Sequence, residues 1–119
     1  MTEPYQLTLG QMAKALRTKT LTSEALVTSC LERIAAVDPE VLAWARLDGN
    51  AALSRARQLD QEPPLSLLHG IPIGVKDIID TDDFITSYNS PIYQTHRPTT
   101  NANIVTRALD AGAIVLGKT

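Results

Sequence analysis

The chain has 119 residues, a formal charge of −2, and hydrophobic and charged fractions of 44% and 20%. That length suffices for one small domain and not two, and with its basic residues scattered it gives no electrostatic ground for a nucleic-acid or anionic-membrane partner. No stretch approaches the ~18 apolar residues of a membrane span, and the opening MTEPYQLTLG lacks the basic start and apolar core of a secretory signal, so the expected compartment is cytoplasmic.

The part up to about residue 62 reads as helical. Thr8 and Gln11 form a capping box, with Leu7 and Met12 placed as a hydrophobic staple, and Leu9, Met12, Ala13 and Leu16 follow at helical spacing. A second helix is predicted from near Thr22 to about Val37. Its stripe is Leu26, Val27, Cys30, Leu31, Ile34 and Val37, and Asp38-Pro39 closes it. Cys30, the single cysteine, rules out an intrachain disulfide and reads as a buried structural thiol. The apolar connector VLAWARLD is a short strand or a buried turn. A third helix begins at Asp48, carries Ala52, Ala56 and Leu59 on one side, and ends at DQEPP.

From about residue 65 the pattern changes to that of a sheet. IPIGVKDIID is short and β-branched, like a buried strand. Residues 80–99 form a long irregular loop. A fourth helix runs from about Thr100 to Ala111 with Ile104, Val105, Ala108 and Leu109 as its apolar side and Gly112 as its C-terminal cap. AIVL is a second buried strand. Two strands separated by a helix predict a parallel crossover, and a sheet of this kind continues beyond two strands and is covered on both faces.

Several motifs fail on physical grounds. GAIVLGKT fits the spacing of a phosphate-binding loop, but Ala113, Ile114, Val115 and Leu116 favour a strand over a loop of flexible residues wrapping a phosphate, and a helix precedes them where a strand should. His69 and His96 are far apart and no metal-ligand spacing exists, so neither a metal nor a cofactor is expected. Asp80-Thr81-Asp82-Asp83 lacks the glycine and terminal glutamate of a calcium loop and reads as a solvated acidic loop. Tyr88 and Tyr93 line a cleft or cover a core edge.

Lys76 is the candidate for chemistry. It stands in an apolar segment whose alternation puts Ile71, Ile73 and Val75 on one side and Pro72, Gly74 and Lys76 on the other. Gly74 leaves room beside it for another backbone or a ligand. Asp77 points the other way in an extended chain. A desolvated lysine favours the neutral amine, which serves as a general base, whereas the ordinary reading is a lysine snorkelling to water from a strand end.

LHGIPIGVKDIIDT followed by AGAIVLGKT resembles the amidase signature family, whose members carry a segment like LxGxPxxVKDxxDT and then AGAxxxGKT. LTLGQMAKAL and LTSEALVTSCLERIAAVDPEVLAWARLD are similar to the start of these enzymes, so the resemblance covers nearly the whole chain. It implies an α/β fold: N-terminal helices, then the first strand-helix-strand part of an amidase-type α/β/α sandwich. Residues 1–119 would be the N-terminal portion of one amidase signature domain, helical over about 1–62 and starting the sheet over about 65–119. The implied chemistry is hydrolysis of a small-molecule amide by a serine nucleophile, a second serine beside a cis peptide bond, and a lysine, which Lys76 matches. Both serines belong to a glycine- and serine-rich stretch after the GKT segment, so the chain reads as a truncated piece, inactive alone. Asn89 stands where the family has glycine, and Asn101-Ala102 where its helix opens with aspartate-alanine. Asparagine tolerates positive φ, and Thr100 or Asn101 remains able to cap the helix.

Two other readings accompany this one. The chain is the A-type subunit of an amidotransferase that works on aminoacyl-tRNA, or a non-catalytic interaction module that self-associates or binds a partner through uncovered sheet surface. Amide turnover by these residues alone would require some residue here, such as Ser87 or Ser90, to replace the absent serines.

Overall fold

The computed structural model describes residues 2–119. Helix α1, Leu9–Arg17, begins at the expected capping box: Gln11 N–H donates to Thr8 Oγ1 at 3.3 Å, and Thr8 N–H to Gln11 Oε1 at 2.8 Å. Helix α2 spans Ser23–Val41, with Thr22 as its N-cap. Its end differs from the expectation at Asp38-Pro39. The helix continues through Pro39 and is closed by Asp38, whose carbonyl accepts from Leu42 N–H at 2.7 Å while its carboxylate accepts from Ala43 N–H at 2.7 Å and Trp44 N–H at 3.3 Å. Leu42 takes a left-handed φ of 54° to make the turn. A proline forfeits one backbone bond, and near a helix end the loss is offset by such caps.

Helix α3, Gly49–Asp60, starts at Asp48, whose side chain accepts from Ala51 N–H at 3.0 Å. Its last residue, Asp60, accepts from Ser23 N–H at 2.7 Å and Glu24 N–H at 3.0 Å. This contact joins the C-terminus of α3 to the N-terminus of α2, so the two helices run antiparallel. A carboxylate there meets both unsatisfied N–H groups and the positive end of the helix dipole. Asp60→Ala is expected to cost about 1–2 kcal/mol, read as a lowered melting temperature; an unchanged melt would remove this contact from the stability of the helix pair.

The sheet has three strands. β1 is Arg46–Leu47, β2 Pro72–Val75 and β3 Ile114–Lys118, in the order β1-β3-β2. β2 and β3 are parallel and joined through α4, Asn103–Asp110, which is the predicted crossover. The connector open to either strand or turn supplies β1, antiparallel to β3 with Leu47 opposite Gly117. The strand expected over IPIGVKDIID is shorter, because the chain turns immediately after Val75. Helix α4 also starts later than Thr100. Its N-cap is Ala102, with no side-chain cap, because the Asn101 carboxamide is spent accepting from Asp82 N–H at 2.8 Å. Of its expected apolar side only Val105 is buried, and Ile104 remains 67% exposed. Gly112 follows it at φ 93°, where a Cβ would lie 2.8 Å from His69 Cα; its N–H donates to Leu109 O at 2.9 Å, as predicted for the cap.

One face of the sheet carries Ile114 and Leu116 into the core formed with Val27, Ala52, Ala56 and Leu59, and Cys30 packs against that cluster. Burial pushes the Cys30 thiol pKa up, as for a structural thiol. The register between β2 and β3 slips by one residue: Ile73 pairs with Val115, but Gly74 pairs with Gly117. Leu116 is the unpaired extra residue of a bulge. Past it the alternation inverts, so Lys118, opposite Val75, lies on the other face from Ile114 and Leu116.

Candidate functional site

Lys76 stands one residue beyond β2. The backbone on either side of it is held by the end of β3: Thr119 N–H donates to Val75 O at 2.9 Å, and Asp77 N–H donates to Thr119 O at 2.8 Å. Its own carbonyl accepts from Ile79 N–H at 3.0 Å, which closes the turn over 76–79. The side chain is exposed. It borders a depression shared with Trp44, Asn89 and Thr119. The room predicted beside it at Gly74 is already taken. A Cβ there would lie 2.9 Å from Trp44 Cη2 and 3.1 Å from Thr119 Cγ2, so the indole fills the space that a side chain or ligand would need. Among residues 2–119 the Lys76 side chain is thus exposed and not enclosed by the strand that precedes it.

Asp77 lies in the turn beyond β2, where the alternation of an extended chain no longer applies, and is 6% exposed. It organises the loop that follows. Its carboxylate accepts from Ser87 N–H at 3.1 Å and from the Ser87 hydroxyl, and its carbonyl accepts from Tyr88 N–H at 2.9 Å. The Tyr88 hydroxyl donates to Asp80, and this bond to a carboxylate raises the phenol pKa, with lesser contributions from burial and nearby negative charge. Tyr88 and Asn89 are both left-handed, at φ 52° and 57°. Asparagine accepts positive φ, as expected at position 89; Tyr88 is a bulky residue in a disfavoured region, held by two bonds to the 77–80 turn. Tyr88, Tyr93 and His96 pack ring against ring, with centroids 5.3–5.9 Å apart. In the acidic run Asp83 is exposed, as expected, while Asp80 and Asp82 are half-buried. Thr81 is buried, and Arg97 donates to the carbonyls of Asp82 and Asp83 at 2.9 and 2.7 Å.

Neither serine considered as a replacement nucleophile is placed for that role. The Ser87 hydroxyl is committed to Asp77, and Ser90 caps the short 3-10 turn Pro91–Tyr93. His69 is a structural tie: Nδ1 accepts from Leu65 N–H at 3.1 Å, which leaves Nε2 to donate to Leu59 O at 2.9 Å.

The sequence reading missed Lys118. It is fully buried, and its ammonium donates to Ile79 O, to Thr81 Oγ1 at 3.0 Å and to Thr86 Oγ1 at 2.9 Å. Burial lowers its pKa, while Asp77 and Asp80 oppose the shift by their charge. The available signal was a lysine closing an apolar run, the same signal that singled out Lys76. The bulge that aims it has no local sequence mark.

A sequence profile of the family described as Amidase matches residues 25–119. The chain is 40% identical over 122 residues to the A-type subunit of the Glutamyl-tRNA(Gln) amidotransferase of Chloroflexus aggregans, covering 99% of this chain and 25% of that protein. It is 37% identical over 117 residues to the Putative amidase AmiD of Mycobacterium tuberculosis, covering 95% and 25%. Among solved structures, the native peptide amidase from Stenotrophomonas maltophilia superposes with a TM-score of 0.91 at 36% identity, over 99% of this chain and 26% of that one. The chain thus spans about a quarter of the length of these relatives, and its helices and small mixed sheet are the N-terminal part of their fold. With the family profile covering most of its residues, the chain belongs to the amidase signature family.

Proposed function

We propose that residues 1–119 are the N-terminal portion of a single amidase signature domain that hydrolyses small-molecule amides, and that Lys76 is its catalytic base. In this reading the two serines lie outside residues 1–119. The neutral Lys76 amine accepts a proton from the bridging serine, which takes one from the nucleophilic serine as that oxygen attacks the amide carbonyl. The proton returns by the same route to the departing nitrogen, the C–N bond breaks, and water then hydrolyses the acyl-enzyme. The observation that carries the reading is the placement of Lys76, on a turn whose backbone is fixed by β3 and with its amine opening onto a depression. A base needs that rigid mounting. The desolvation it also needs would come from residues that cover the depression in the longer protein.

The test is ammonia release from simple primary amides by the full-length protein and by residues 1–119 alone. Turnover is expected only in the former, because the short chain has no activated serine. The short chain is also expected to self-associate in sedimentation, through the open edge of β2 and the exposed Ile104 side of α4. A monodisperse monomer would contradict the second expectation. Amide turnover by the short chain would contradict the first.

The relatives named as A-type subunits of Glutamyl-tRNA(Gln) amidotransferase, at 38–40% identity, support a second reading, in which the protein belongs to such a complex and works on aminoacyl-tRNA. Activity that requires companion subunits and charged tRNA would select it over a free-standing amidase.

A further inference from the structure

We propose that Lys118 is a positioning residue for Lys76: its buried ammonium fixes the turn that carries the catalytic base. The inference rests on the general-base reading of Lys76.

A buried ammonium is costly, and here its three bonds go to neutral oxygens and none to a carboxylate. An apolar side chain of similar length would fill the same volume without that cost. What the ammonium supplies is directional. Ile79 holds the Lys76 carbonyl through its N–H, and Lys118 holds Ile79 through its carbonyl, so one residue links the two lysines. The remaining two bonds reach Thr81 and Thr86, which are 2% and 0% exposed. They anchor both arms of the segment that runs from the Lys76 turn out to Ser87 and Tyr88. Thr119, next in the chain, clamps the backbone on both sides of Lys76. The bulge at Leu116 is what turns Lys118 to this face; strict alternation from Ile114 would send it into the core beside Leu116. The loop, the turn and the two strand ends therefore share one charged tie point.

The test is Lys118→Met in the full-length enzyme, which keeps length and bulk and removes the charge and its donors. Rates are expressed per active site, counted by titration with a serine-directed phosphonate. The kcat is expected to fall by about 10²-fold, the scale of a small misplacement of a catalytic group, with KM within about threefold, since Lys118 is fully buried and its ammonium is bonded to protein oxygens. Hydrogen exchange is expected to accelerate at the backbone amides of residues 77–88 and not in α2 or α3. Unchanged kcat per active site, or exchange that rises uniformly, would overturn the proposal. If Lys118→Met does not fold, Thr86→Val removes a single acceptor, and a smaller loss of kcat in the same sense is expected; no loss overturns it. If Lys76→Ala retains turnover, the general-base reading fails, and the exchange pattern still decides whether Lys118 holds the turn.

Discussion

Replacing Lys76 with alanine in the full-length enzyme is expected to lower kcat by about 10²–10⁴-fold, the usual contribution of a positioned acid–base group. The loss is larger where nucleophile activation depends wholly on that group. Stability should stay within about 0.5 kcal/mol, because the side chain is exposed and the turn around it is made of backbone bonds to Thr119 and Ile79. This separation of activity from stability distinguishes a catalytic role from a structural one. Ammonia release and a thermal melt on the same preparation measure both. Near-normal turnover would take Lys76 out of the mechanism.

Gly117→Ala should produce the largest loss of stability. A Cβ at Gly117 would lie 1.9 Å from the Arg46 carbonyl oxygen and 3.0 Å from Leu47 Cα. These are backbone atoms of the paired strand and cannot rotate away. β1 must separate from β3, which breaks the bonds from Ala45 N–H to Lys118 O and from Asp48 N–H to Leu116 O. Overpacking of this severity is expected to cost about 3 kcal/mol or more. Gly10→Ala is the control. It lies in α1 with nothing within 4 Å of the added carbon, and the helix gains up to about 1 kcal/mol from alanine. The melting temperature should fall steeply for the first variant and hold or rise for the second. Equal melts would mean that the β1–β3 pairing contributes little.

Much of the helical part was legible because its signals are local. Thr8 with Gln11, Asp48 ahead of Gly49, and Gly112 after Asp110 each act within one turn of chain, and each does what its residue type predicts. The 3.6-residue recurrence of Ala52, Ala56 and Leu59 likewise marks the face that is buried. The parallel crossover was legible from strand and helix lengths. Expectations failed where a side chain serves a distant partner. Asn101 is bound to Asp82 instead of capping its own helix, Asp38 carries α2 past Pro39, and Trp44 fills the space over Gly74. Lys118 is the sharpest case. The two segments that carried the family resemblance, one ending in Asp80-Thr81 and the other in Gly117-Lys118-Thr119, meet in space at the bond from Lys118 to Thr81. A register slip at Leu116 makes that meeting possible, and no periodicity in the sequence announces it.

The assignment of Lys76 as a base is tested most directly by Lys76→Arg in the full-length enzyme, measured as ammonia release from a simple primary amide. Guanidinium keeps the positive charge and much of the bulk but stays protonated at working pH and cannot accept a proton. Turnover as low as that of Lys76→Ala is the predicted result. Turnover close to that of the unsubstituted enzyme would mean that a positive charge suffices at this position, and would contradict the assignment.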